Sequence, residues 1–423
     1  MSGPPARHCR QSPRPRREGE LGPTDVVGAF FVCGIVFLLA AAAVGVAQWL
    51  TPWPWGHWLA LHLAFVGGVS QLILGASQFF AGAFLATDPP PRVLVRAQII
   101  YWNAGAILLA IAVPEHADTL IWLAIGLLAS GLAAWAAAIA TMRRRSLRRS
   151  PWATRWYVGA ACFFGLGMVA GSLLARGVAW SHGDLLGAHM SLNLAGWFGA
   201  TIVGTLHTFF PSLTQTQLRF PRLQEVAFAA WTAGVTALAV GYGWGLEPLA
   251  VAGWLGLCVG AIALLVNVAA CLRGAPRPLL LPARIVGAAQ PFLLAGLLVA
   301  TVAAVEDGPA NALSGSTRTT VGTLLVSGWI GLTVLGSLAH LLAVVVRVRG
   351  GFAARMPAAR PGFDGFVAGL AMAGIAALAF SQRVGLESWG RPAVVALVAT
   401  YAILGGRIAT LAARVLLHAR PSL

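Results

Sequence analysis

Lysine is absent: all 29 basic residues are arginine. Charge of either sign is scarce, since only 10% of residues are Asp, Glu, Lys or Arg, where a soluble domain carries about a quarter. So little charge, beside 58% apolar residues and a mean hydropathy of +0.78, cannot cover a soluble surface for 423 residues. Soluble enzymes and nucleic-acid binders are thereby excluded. Cysteine is scarce too. The five (Cys9, Cys33, Cys162, Cys258 and Cys271) form no CxxC pair and no even framework, which excludes a disulfide scaffold. Four of them sit in or at the ends of apolar runs, where packing is the expected role. Walker, HExxH, GxSxG and cysteine metal motifs are all missing. Every acidic residue lies near the end of an apolar run, which weighs against a proton-coupled transporter.

What the sequence does contain is a succession of apolar runs, each long enough for a hydrocarbon core about 30 Å thick. They predict an all-α integral membrane protein with spans at 25–50, 56–87, 92–113, 117–142, 152–176, 183–215, 222–245, 247–272, 283–305, 316–347, 362–383 and 389–415, twelve in all. Residues 1–24, rich in Arg and Pro, read as a disordered basic tail, and 416–423 as a short second tail. The first apolar run is too long for a signal-peptide core and reads as a retained helix.

The arginines fall in alternate loops, from Arg7 to Arg17, Arg143 to Arg155, Arg273 to Arg284 and Arg347 to Arg360. With both termini cytoplasmic, 25 of the 29 lie inside and only Arg176, Arg318, Arg383 and Arg391 outside, as the positive-inside rule requires. The net charge of +16 is therefore a topology signal and an anchor to anionic lipid. The outer loops hold Glu115, Asp118, Asp184, Glu247, Glu306, Asp307 and Glu387. Trp49, Trp53, Trp55, Trp58, Trp180, Trp244 and Trp389 gather there too, as an interfacial aromatic belt. The lipid bilayer is thus the first partner, in a multi-pass protein of the cell membrane.

Gly196-Trp197-Phe198-Gly199 on the sixth helix returns as Gly328-Trp329-Ile330-Gly331 on the tenth. A fainter copy, Gly67-Gly68 through Gly75-Ala76-Ser77, lies on the second. The offsets of 129 and 132 residues equal four helices each. They predict three pseudo-repeats of four helices, at 25–142, 152–273 and 282–415, with small residues allowing close approach of helices 2, 6 and 10.

Polar residues within a bilayer invite a functional reading. His62 on helix 2 and His189 on helix 6 are expected at one depth near the outer leaflet, aimed into one interhelical space. Imidazole there can ligate a haem or a copper ion, and His62 and His189 are the candidate cofactor ligands. His207 follows His189 by 18 residues, five turns and about 27 Å of an ideal helix. It is therefore expected on the same face, with Asn193, Gly196 and Ala200, and is a further candidate metal ligand. The bland reading of each histidine is an interhelical hydrogen bond or contact with interfacial water. Gln71, Gln78, Asn103, Asn267 and Gln290 read as interhelical hydrogen bonds. His340 lies near the cytoplasmic end, and His57, His116 and His182 read as surface.

Three groups of four helices with histidine on the second and sixth resemble the haem–copper oxidase catalytic subunit. The resemblance is closer to NnrS-type membrane proteins of nitric oxide and nitrite metabolism. It is closest to the membrane region fused to copper nitrite reductase-like multicopper oxidases in some actinobacterial proteins. It rests on Leu61-His62-Leu63 through Ser77-Gln78-Phe79-Phe80, and on His189-Met190-Ser191-Leu192-Asn193-Leu194-Ala195-Gly196-Trp197 through Thr208-Phe209-Phe210-Pro211-Ser212-Leu213-Thr214. Elsewhere it is architectural. It implies an oxidase-like fold, a haem or copper on His62 and His189, and a role in copper or nitrogen-oxide handling. A copper oxidase, nitrite reductase or other redox protein on the outer side is the implied partner. Such an oxidase has two histidines on helix 10 and two on helix 7. Here helix 10 begins Thr319-Thr320-Val321-Gly322-Thr323 and helix 7 has none, so a complete terminal oxidase is excluded. Two other readings stay open at this point: a cofactor-free membrane scaffold or binding protein, and a transporter of a small solute through an interhelical pore.

Overall fold

The structure is a computed structural model that describes residues 23–146, 151–350 and 360–417. The expected tails at 1–24 and 416–423 lie almost wholly outside the described residues. So do parts of the Arg143–Arg155 and Arg347–Arg360 loops.

Every regular element described is helical. The long helices are α1 (Pro23–Leu50), α2 (Gly56–Leu85), α3 (Arg92–Ala112), α4 (Asp118–Arg144), α5 (Pro151–Ala175), α6 (185–213), α7 (Arg222–Gly243), α8 (Glu247–Gly274), α9 (Leu281–Glu306), α10 (Gly315–Val348), α11 (Pro361–Val384) and α12 (Glu387–Leu417). All but α6 are long and apolar enough to cross a membrane, eleven helices among the described residues. The protein is therefore an all-α, multi-pass membrane-type bundle. α6 is of comparable length but carries His189, Asn193 and His207, which make it less apolar.

The ends follow ordinary capping chemistry. Asp184 accepts a hydrogen bond from the Gly187 backbone N–H at 2.9 Å and so caps α6. Proline stands in the first turn of α8, α9 and α11, where its missing N–H costs nothing. α11 stops at Gly385, whose φ of 74° suits a residue without Cβ. Near the start of α11, buried Asp364 pairs with Arg407 of α12 at 3.2 Å and accepts from the Arg360 N–H. The acidic residue thus sits at a helix end with a partner, as expected for a membrane bundle. Four of the amide side chains in the spans find partners. Gln71 donates to Asn103, Gln78 to Gln98, and Gln290 to Thr333, while Asn267 holds the Phe220 backbone.

One local feature was not expected from side-chain periodicity. α2, α6 and α10 each contain a π-helical segment, at Leu63–Val69, Ser191–Gly199 and Thr323–Gly331. A carbonyl in each accepts a hydrogen bond from an aromatic side chain of another helix. Trp102 Nε1 donates to Val66 O at 2.8 Å, Trp231 Nε1 to Ala195 O at 2.9 Å, and the Tyr401 hydroxyl to Ser327 O at 2.6 Å. The three glycines 75, 204 and 336 approach the preceding helices closely. An added Cβ would lie 2.7 Å from Phe30 of α1, 2.3 Å from Trp156 of α5 and 2.8 Å from Val286 of α9. Small residues here exchange side-chain bulk for close backbone packing, the main source of association between helices in lipid.

These bonds make a testable claim about stability. Trp102→Phe keeps most of the ring but removes the donor to a buried carbonyl, a loss of about 1–3 kcal/mol. Thermal unfolding in detergent should shift down for Trp102→Phe and stay unchanged for Trp49→Phe, whose side chain is 79% exposed.

Candidate functional site

A cavity of about 1150 Å³ occupies the end of the bundle that holds His62 and His189. It exceeds the roughly 300–1,000 Å³ of an ordinary small-molecule site. Its walls come from nearly all the helices between α2 and α10 and are mostly apolar, including Phe65, Phe164, Phe198, Trp231, Trp254 and Trp329. Both candidate histidines line it.

Each imidazole is held by its Nδ1. In α2, His62 Nδ1 lies 2.8 Å from the carbonyl of Trp58, one turn earlier, and the Trp58 ring stacks on the imidazole with centroids 4.1 Å apart. In α6, His189 Nδ1 lies 2.9 Å from the Gly167 carbonyl of α5. A carbonyl can only accept, so each of these bonds takes Nδ1–H and leaves Nε2 its lone pair; the Asn193 amide nitrogen also lies 3.2 Å from His189 Nδ1. That is the tautomer a metal ligand needs, with the second nitrogen anchored by a neighbouring acceptor.

The seat of His189 is cut into α5 by two glycines a helical turn apart. A Cβ on Gly171 would lie 2.7 Å from His189 Cε1, and one on Gly167 would lie 2.5 Å from Asn193 Nδ2. Asn193 itself donates to the His189 carbonyl at 2.7 Å and lines the cavity. Sequence reasoning missed Trp58, Gly167 and Gly171. The available signals were i, i+4 spacing from Trp58 to His62 and the small-xxx-small pair on α5.

Two of the four arginines expected on the outer side, Arg176 and Arg318, stand on the cavity lining with His116, Asp118 and Thr319. Arg176 pairs loosely with Asp118 at 3.7 Å and lies over Trp122. His116, read from sequence as surface, is exposed but packs edge-on to Trp55 at 5.4 Å.

His207 does not line the cavity with them, although it too packs toward α5. The π segment Ser191–Gly199 lies between the two. A π turn closes i to i+5 and spends an extra residue, so 18 residues are no longer five whole turns. Asn193 is on the cavity lining, whereas Gly196 packs on Phe163 of α5 and Ala200 is buried away from the cavity. His207 is 1% exposed, near-parallel to Trp156 at 6.3 Å, with Nδ1 on the Val203 carbonyl and Nε2 lacking a hydrogen-bond partner. His340 lies away from the cavity, edge-on to Phe209 at 5.6 Å.

The lining bears on both cofactors that imidazole suits, with the thioethers Met168 and Met190 on it beside the two histidines. Among the described residues no group of three His, Cys, Asp or Glu lies together, so a copper ion on His62 and His189 would lack further protein donors of these types. A haem brings four nitrogens of its own and needs only axial imidazole. The lining offers what a haem would use: an apolar chamber for the macrocycle, the two imidazoles, and Arg176 and Arg318 for acidic substituents. No protein-family model matches the chain, and no curated protein matches it.

Proposed function

We propose that the protein is a membrane haem protein of oxidase-like architecture, with the haem in the large cavity and His62 and His189 as its protein ligands. The observation that carries this reading is that two intramembrane imidazoles line one cavity, each with Nδ1 satisfied and Nε2 left as the ligating nitrogen. An imidazole without a partner in hydrocarbon costs several kcal/mol, and a shared ligand removes that cost for both. A bound haem supplies electron transfer or reversible binding of a small ligand at iron. The chain's own residues orient the imidazoles through Trp58 and Gly167, exclude water with aromatic walls, and offer Arg176 and Arg318 to carboxylates. The resemblance to NnrS-type proteins points this chemistry toward copper or nitrogen-oxide handling, with a redox partner at the His189 end.

The architecture in this reading has twelve spans, α6 included, in three four-helix units at 25–142, 152–273 and 282–415. Contacts that recur at the sequence offsets support it. Trp102 and Trp231 are 129 residues apart, as are their acceptors Val66 and Ala195. The three close-approach glycines, 75, 204 and 336, keep offsets of 129 and 132. The arginine asymmetry supports a cytoplasmic position for both termini. A reporter fused after Leu423 that works only outside the cytoplasm should be inactive, and one in the 177–183 turn active; the reverse pattern would overturn the orientation.

Titration of the purified protein with ferric haem in detergent tests the function. The expected result is saturation at one haem per chain with the red-shifted Soret band of imidazole ligation. Unsaturable uptake no greater than that of empty micelles would refute it.

A further inference from the structure

A second cavity, of about 80 Å³, lies one to three turns beyond the first along α2, α6 and α10. Its lining follows the repeat offsets layer by layer. Leu72, Thr201 and Thr333 contribute one ring. Ile73, Ile202 and Val334 form the next, and Ala76, Thr205 and Ser337 a third. Phe80, Phe209 and Leu341 close the far end, with the Phe80 and Phe209 rings 5.3 Å apart. Each ring takes one residue from each of the three helices, at offsets of 129 and 132, so the chamber sits on the axis those helices share. The layer between the two cavities is Val69, Phe198 and Ile330, the next ring in the same frame, with Phe65 against Phe198 at 4.8 Å.

We propose that this axial chamber is a binding site for one small, uncharged, apolar molecule of dissolved-gas size, entered from the large cavity past the Val69–Phe198–Ile330 layer. The size follows from comparison: an apolar cavity of about 150 Å³ binds benzene or xenon, and this one is about half as large. Its chemistry excludes other occupants. No charged side chain lines it, so an ion would lose hydration without compensation. Water needs two to four polar partners; the Thr201 hydroxyl is buried without one, while three of the other hydroxyls are committed. Ser77 donates to the Leu74 carbonyl and accepts from Trp135, Thr205 is bonded to Tyr157, and Thr333 accepts from Gln290. The middle ring supplies the space: Ala76, Thr205 and Ser337 are small and half-buried, whereas the rings at 72–201 and 80–209 are buried. The inference is independent of the haem reading, because it uses neither histidine and a different cavity.

Xenon is the probe. Crystals of the full chain pressurised with xenon should show one anomalous peak on the axis between Ala76, Thr205 and Ser337. Ala76→Leu fills the chamber from α2 and Ser337→Leu fills it from α10, so a variant that fails to fold on one helix leaves the other to decide. Either, eluting as the wild type does, should lose that peak, while Thr201→Val should keep it. Ordered water or no xenon in the wild-type chamber, or a peak that survives both leucine variants, would overturn the proposal.

Discussion

Alanine at His189 or at His62 is expected to abolish low-spin haem binding, and alanine at His207 or His340 to leave it intact. The asymmetry follows from placement. The first two rings line the 1150 Å³ cavity with Nδ1–H committed to a backbone carbonyl, so Nε2 is the nitrogen presented to a ligand. His207 has the same tautomer but is packed near Trp156, and neither it nor His340 lines the cavity. Each single variant should weaken haem binding by at least tenfold, about 1.4 kcal/mol. The low-spin signature should vanish even where residual high-spin binding through the remaining imidazole persists. Absorbance titration of the four variants checks this. Equal affinity in all four would remove His62 and His189 from the site.

Gly171→Val should be nearly as damaging without touching a ligand. The new Cβ would stand 2.7 Å from His189 Cε1 and 3.0 Å from its Nδ1, closer than packed side chains allow. The ring cannot yield without giving up its 2.9 Å bond to Gly167. Overpacking of this kind costs about 1–3 kcal/mol, shared between the fold and the site. Haem affinity should fall roughly tenfold and thermal unfolding should move down. Gly165→Ala on the same helix, with nothing within 4 Å of its Cβ position, should change neither. A valine variant with wild-type affinity would mean that His189 reaches its ligand by another orientation.

Much of the fold was legible because the bilayer leaves few solutions. Eleven of the expected spans are helices of the required length and polarity, with ends within a few residues of the apolar runs. The expected span at 183–215 is a long helix but is not apolar enough to count among them, and two of its polar residues, His189 and Asn193, line the cavity. Gln71, Gln78, Asn267 and Gln290 were legible as bonding groups because an unpaired amide in lipid is costly. The pairing of His62 with His189 in one cavity was legible from matched depth on helices of the same repeat frame.

What was not legible has one main source. The π segments change the backbone hydrogen-bond register without altering composition, so counting by 3.6 could not say that His207 lies outside the cavity lining. The aromatic donors Trp102, Trp231 and Tyr401 are invisible for the same reason: their acceptors are backbone carbonyls freed by the π turns. The seat of His189 depends on Gly167 and Gly171 of a different helix, and small residues in a Gly-rich chain do not announce which neighbour they admit. The two cavities are properties of several helices at once. No single stretch encodes them, though the repeat offsets order their linings afterwards.

Absorbance and elemental analysis of the protein as purified from its native membrane test the central claim most directly. The account predicts a Soret band that sharpens on reduction, with about one iron and no stoichiometric copper per chain. Full-length, well-folded protein with neither band nor iron, or with copper in place of iron, would contradict it.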